Sequence, residues 1–483
     1  MLSLSPEALK VAKPFWWIAA GWTVLSWIRW YVTGSLKVDE HYPQGWSSAA
    51  LMLMALVLIS FHFVLVYRGL KQPPLLSSTD WKTIILGTMW LLWPMLPIFS
   101  NDLFSLLYHA EIKAHGLDVY AQPLPEFSGE WHAFVGERWR TTPLVYGPVA
   151  LLPALPVQYI PLHPLFKILL TKVFLLLPCT LLILKLPSKV WTLPMVPLLW
   201  LSPLVWLSGF GQVHIDLWLV ILSMGVFVWA RSHPVFTGLL FGTAVAIKLS
   251  ALLLGAGLLV QWRSMTLKQI IFQLMAIVFS VWGWYRLLDE GMAEFVSPLK
   301  TLSDMAPTGS FVDTLSEILR FFTTGGQIRP PEPDPIRARA LDFAEKGPIW
   351  TWMLPLFAMA GLALGLYALW QLWRRKKDTS ENWTWALAAV VAILCLATPK
   401  FHPWYLLLLL PYLHFVPSRL WHGWFLWASG AASLQDFSQV LPHDHYVFSV
   451  WVAGTAILTL LAFLWKGRER YGFDEMKRDA TIS

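Results

Sequence analysis

Apolar runs of bilayer-crossing length follow one another along almost the whole chain, from Pro14 to the last at 446–465. A hydrocarbon layer about 30 Å thick needs roughly 20 helical residues, and within it each backbone donor and acceptor must be satisfied inside the segment. Packed helices meet that demand, and an open sheet does not. The spacing predicts an all-α polytopic membrane protein, a bundle of about 14 membrane helices beginning at 14–33, two of them short. Composition agrees: 56% of residues are hydrophobic and 13% charged, where a soluble domain carries roughly 25% charged residues. The 31 Trp and 13 Tyr suit the two membrane–water interfaces. Cys179 and Cys395 lie in apolar runs and read as small buried hydrophobes, not as a disulfide. No small-residue cleavage site follows 14–33, so that stretch is expected to span and not to be a cleaved leader.

The charges set an orientation. With the N-terminus inside, the expected cytoplasmic pieces hold more than half of the 36 Lys and Arg, including Arg374-Arg375-Lys376-Lys377 and the tail from Lys466. The acids concentrate on the other side, notably between Asp289 and Glu345. The net charge of +7 is thus explained by membrane orientation, and a nucleic-acid partner is not needed. Residues 1–465 are expected to form a single transmembrane domain with outer loops at about 101–164 and 286–347, and 466–483 a cytoplasmic tail. The 235–262 stretch is read as two short helices, because Gly238, Gly242, Gly255 and Gly257 weaken a single rod. The proline-bearing 144–160 stretch is read as interfacial, not crossing. Pro330 to Pro335 reads as polyproline, and Leu315, Ile318, Leu319 and Phe322 as one face of a surface helix just before it.

The stretch from Ser100 to Gly116 carries the densest polar chemistry, with a capping residue at one end and a helix-ending glycine at the other. On a helix Asp102, His109 and Lys113 project within about 20° of one another, and Glu111 points away. A carboxylate there can act as a base and the cations can hold an anion; a solvated helix start explains the same residues equally well. Asp118-Val119-Tyr120 and Tyr146-Gly147-Pro148 are turn-rich segments able to fold back over this helix. Asp216 opens an apolar run, where an acid demands a partner or water. Lys248 sits between two short spans, where it either snorkels or binds an anion. Lys400 and His402 open another span. Arg29 and Lys172 lie deeper and are expected to pair or snorkel.

Asn101-Asp102 with Tyr108, then Gly116-Leu117-Asp118-Val119-Tyr120 and Pro123, resembles the first outer loop of GT-C glycosyltransferases that use polyprenyl-phosphate sugars. The resemblance is greatest to the bacterial polyprenol-phosphomannose-dependent mannosyltransferases. Tyr146-Gly147-Pro148, Gly211-Gln212 with Asp216, the Gly238–Gly242 run leading to Lys248, and His402-Pro403-Trp404-Tyr405 follow in the expected order. Val119 stands where that family usually has Pro, and Ala110 where Gly is common. The likeness spans about residues 82–420; residues 1–81 match no motif. It implies a GT-C-like bundle that moves mannose from a polyprenyl phosphate to a glycan or glycolipid hydroxyl on the extracytoplasmic side of the plasma membrane, with inversion. It also implies Asp102 as catalytic base. His109, Lys113, Tyr120, Tyr146, Asp216, Lys248, Lys400 and His402 are then the candidates to bind donor phosphate or substrate. No cofactor is expected, and no metal, since the His and acids lack ligand spacing. The alternatives are a transporter or flippase for lipid-linked sugars, which would place polar groups at the midplane of repeated halves, and a lipid-linked glycan ligase or polymerase.

Overall fold

The computed structural model describes residues 4–33, 46–97, 102–121, 124–135, 137–191, 195–298, 315–316, 319–320, 335–374, 380–398, 402–438, 455 and 458–459. Among these every regular element is helical. The chain divides into two compact units, residues 1–302 and 303–483. Among the described residues five helices are long and apolar enough to cross a membrane: Leu53–Lys71, Pro164–Lys185, Leu267–Leu287, Ala344–Arg374 and Ser380–Ala397. A sixth arises if two helices bent by 97° form one broken span. The expected total of about 14 is not reproduced among the described residues, where many of the predicted segments fold into pieces shorter than a bilayer is thick, and the predicted span 446–465 lies almost wholly outside them.

In the first unit α1 (Pro6–Thr33) packs beside α3 (Ser78–Leu91), with α2 (Trp46–Lys71) on its other flank. The α1 face with Ala8, Ala12, Phe15, Ala19, Trp22 and Ser26 is buried, at the three-to-four-residue spacing of one helical stripe. Ser77 caps α3 by accepting from the Asp80 amide, and the Asp80 carboxylate in turn accepts from the Ser5 amide and hydroxyl. The exit of α3 no longer follows a helix, so its polar backbone atoms need outside partners. α1 supplies several. Thr23 donates to the Leu91 carbonyl (2.9 Å), Trp27 to Pro94 (2.8 Å) and Arg29 to Pro97 (3.5 Å), while the Leu96 amide donates to Ser26 (2.9 Å). Residues with no recognisable motif thus fix the strand of backbone that leads to Asp102.

Beyond α4 (Asp102–Ala114) come α5 (Pro164–Lys185), α6 (Met195–Trp200), a π-helix over Val205–Gly211, and α7 (Asp216–Trp229). The 144–160 stretch holds only single turns, Pro148–Leu151 and Leu155–Gln158, too short to cross. The 235–262 stretch forms two short helices as expected, α8 (Pro234–Ile247) and α9 (Gly255–Trp262), the latter preceded by a 3-10 segment. The break falls at Lys248, whose backbone is extended. Gly238 and Gly242, however, serve packing. A Cβ at Gly238 would sit 2.5 Å from the Gln273 carbonyl oxygen, and one at Gly242 2.6 Å from that of Ile277. The two glycines let α8 lie directly on α10 (Leu267–Leu287), the close approach that small residues four apart allow between apolar helices. Gln273 to Thr237 (2.9 Å) and Trp284 to Thr243 (2.8 Å) complete that crossing.

In the second unit α11 (Pro335–Arg374) packs on α12 (Ser380–Ala392), again with glycines at the contact: a Cβ on Gly361 would lie 2.9 Å from the Ala397 amide nitrogen. Pro330–Asp334 lie outside the described residues, and Pro335 already begins α11. Of the predicted surface helix, Leu315 and Leu319 are helical; Ile318 and Phe322 lie outside the described residues. Ser316 accepts from Trp350 (3.0 Å) and Arg320 faces Glu345 (3.7 Å), tying this segment to α11. α13 spans Arg419–Ser438.

Gly242→Ala is expected to lower stability by about 1–3 kcal/mol, the cost of overpacking a close crossing. Gly283→Ala, with nothing within 4 Å of the added Cβ, should leave it unchanged. Thermal unfolding of the two detergent-purified variants against the parent measures the difference.

Candidate active site

Asp102 opens α4, where its charge faces the positive end of the helix. Its Oδ2 accepts the Tyr146 hydroxyl at 2.9 Å and meets His214 Nδ1 at 3.1 Å. The Asp102 side chain is 21% exposed, His214 only 2%. A carboxylate can only accept, so His214 Nδ1 carries the proton of this bond. Three segments, separated by up to 112 residues, therefore converge on one oxygen.

Tyr146 is itself fixed at several points. Its backbone carbonyl accepts the Tyr120 hydroxyl at 2.9 Å, and the next amide, of Gly147, donates to Ile247 at 2.8 Å. A Cβ on Gly147 would fall 2.1 Å from the Ala246 carbonyl oxygen, so only glycine lets this loop touch the end of α8. That contact brings Lys248 over the Tyr146 ring, 5.4 Å from its centroid. Lys248 also pairs with both oxygens of the fully buried Asp216, at 3.0 and 2.9 Å. The result is a continuous polar line from His214 and Asp102 through Tyr146 to Lys248 and Asp216.

The backbone behind His214 is strained. Val213 has φ 51°, a left-handed conformation in which a β-branched side chain costs about 1–3 kcal/mol. It marks the break between the π-helix and α7, where the chain turns by 97°. Lys172 of α5, completely buried, holds that break: its ammonium donates to the Gly211 carbonyl (2.6 Å), to Leu92 (3.4 Å) and to Met95. Lys172, expected to pair or snorkel, turns instead to carbonyls that broken helices leave over, and Arg29 donates to one such carbonyl as well.

The other predicted residues separate. His109 is buried, its Nδ1 facing the Ser105 carbonyl (2.8 Å) and Nε2 that of Thr142 (3.1 Å); burial lowers its pKa from 6.5. Lys113 pairs with Glu290 at 2.7 Å, tying α4 to the segment after α10. Burial raises the Glu290 carboxyl, opposed by that lysine. So Asp102 and His109 meet separate residues of the 142–146 stretch, and Lys113 meets a different segment. Glu111 points away from them, as expected, and its carboxylate accepts the amides of Glu130 (2.7 Å) and Trp131 (3.1 Å). Asp118 closes a turn on the Tyr120 amide (2.8 Å), and burial holds the Tyr120 phenol well above 10. His402, in the second unit, stacks on Trp404 with centroids 4.5 Å apart. Lys400 lies outside the described residues. His214 and the strained Val213 escaped the sequence reading, although Gly211-Gln212 and Asp216 on either side of them were singled out.

A family model described as alpha-(1->6)-mannopyranosyltransferase, N-terminal domain, matches residues 15–291, more than half of the chain. The chain belongs to this family. It is a glycosyltransferase, and its family is one of mannosyltransferases. No curated protein and no solved structure matches it. The family match takes in residues 15–81, which showed no motif, and so corrects the boundary drawn near residue 82. It includes Asp102, Tyr146, His214, Asp216 and Lys248 and ends before Lys400 and His402.

His109 gives this mannosyltransferase an acid sensitivity. A ring whose folded pKa is depressed contributes stability above its unfolded value of 6.5, lost as pH falls below it. The melting temperature should therefore drop between pH 7 and 5, and His109→Gln should flatten that drop in the same titration.

Proposed function

We propose that the protein transfers mannose from a polyprenyl phosphate to a hydroxyl of a glycan or glycolipid, forming an α-(1→6) linkage with inversion at the anomeric carbon. The observation that carries this reading is the Asp102 carboxylate, partly exposed and oriented by Tyr146 and His214. Neighbouring acids are otherwise occupied. Glu111 accepts two amides, Asp118 caps a turn and Asp216 is paired with Lys248. The family description supports the mannosyl group and the linkage.

The acceptor hydroxyl attacks the anomeric carbon as its proton passes to Asp102, while the bond from that carbon to the phosphate oxygen breaks. Positive charge develops on the ring as it becomes oxocarbenium-like. The departing polyprenyl phosphate is a good leaving group and needs charge stabilisation more than a proton. Lys248, held over Tyr146 and balanced by Asp216, is the cation nearest Asp102 along the polar line. Lys400 and His402 remain candidates on sequence order alone. The bundle acts as one transmembrane domain of GT-C type in the plasma membrane, with termini inside, the prenyl chain among its helices and Asp102 on the extracytoplasmic side. This sidedness rests on the Lys and Arg distribution.

The test is transfer from radiolabelled polyprenyl-phosphate mannose in membranes carrying the parent or a variant. Asp102→Asn should reduce transfer at least about a hundredfold, a general-base loss, with Asp102→Glu recovering part of it. Unchanged transfer in Asp102→Asn would remove it as base.

A further inference from the structure

We propose that His214 is a positioning residue for sugar transfer, donating from Nδ1 to Asp102 so that the carboxylate keeps the rotation in which it takes the acceptor proton. This rests on Asp102 acting as the base. The bond is 3.1 Å long and almost wholly shielded from water on the histidine side, so solvent cannot replace it. More telling is how little freedom the histidine has. The Gly211 carbonyl is held by the buried Lys172 ammonium, the Gln212 amide donates to Leu207 (2.8 Å) and the His214 amide to Ser208 (3.0 Å). The His214 carbonyl then accepts the Leu217 amide at 2.9 Å as α7 begins. Between them Val213 is forced to φ 51°. A backbone so fixed on both sides, in a conformation valine avoids, persists where the surrounding structure over-determines it, and such positions cluster at functional sites. Here the outcome is an imidazole aimed at a carboxylate on another helix.

Groups facing Asp102 across this cluster include His214 from the turn before α7 and Tyr146 from the 144–148 segment, with the Lys248–Asp216 pair behind Tyr146. Tyr146 fixes one direction of approach and His214 a second, so the carboxylate plane is set without support from bulk water.

His214→Leu, His214→Asn and His214→Gln are compared with the parent and with Asp102→Asn, using radiolabelled polyprenyl-phosphate mannose. The Asn amide nitrogen stands where Nδ1 does, whereas the Gln amide lies one carbon farther out. His214→Leu should lower kcat about tenfold, the loss of one hydrogen bond to a charged group, with KM for the donor unchanged. His214→Asn should return kcat toward the parent while His214→Gln does not. The proposal is overturned if His214→Leu retains the parental kcat, or if Asn and Gln behave alike. Should His214→Leu fail to accumulate, the Asn-against-Gln comparison alone decides. Full activity in Asp102→Asn would instead remove the base itself, and this proposal with it.

Discussion

The buried Lys172 ammonium is the interaction on which the geometry of the first unit turns. A chain clothed in apolar side chains cannot leave carbonyls uncovered where its helices break, since no water reaches them. Two such breaks lie side by side, at the exit of α3 and at the end of the π-helix, and Lys172 bonds carbonyls of both. One break leads to Asp102, the other to His214 and Asp216. A single cation therefore joins the two backbone segments whose side chains later meet, and the aligned carbonyl dipoles at those helix ends make the lysine welcome there.

Close backbone approach provides the second half of the site. Gly147 rests on Ala246, and Gly238 and Gly242 let α8 lie on α10. The consequence is that Lys248, at the end of α8, reaches the Tyr146 ring and the Asp216 carboxylate together. Buried charges of this kind are costly alone and tolerable when paired. The pairing of Asp216 with Lys248 thus explains how an acid can open an apolar helix. It also leaves Asp102, among the acids considered, as the one that keeps both oriented donors and access to solvent.

Much of this was legible in the chain. Apolar run length gave an all-helical protein with bilayer-crossing helices, and the glycines and Lys248 marked the break within 235–262. The order of the Asp102, Tyr146, Asp216 and Lys248 motifs pointed to a mannosyltransferase. The count of spans was less legible, because hydropathy registers apolar length and does not register π-turns, 3-10 segments or sharp bends such as the one before α7. Helical projection placed Glu111 correctly away from Asp102. It could not tell that His109 and Lys113 would meet Thr142 and Glu290, since angular position on one helix says nothing of what packs against it.

Sequence by itself determined the helical class, the family and the identity of the residues able to do acid–base work, because these depend on composition, local periodicity and motif order. Tertiary structure alone decided that His214 joins Tyr146 on Asp102, that Lys172 supports the turn beneath it, and that residues of α1 brace the exit of α3. Those contacts join residues up to 112 positions apart. They follow from how broken helices satisfy their leftover polar atoms, a condition set by neighbours in space and not by neighbours in the chain.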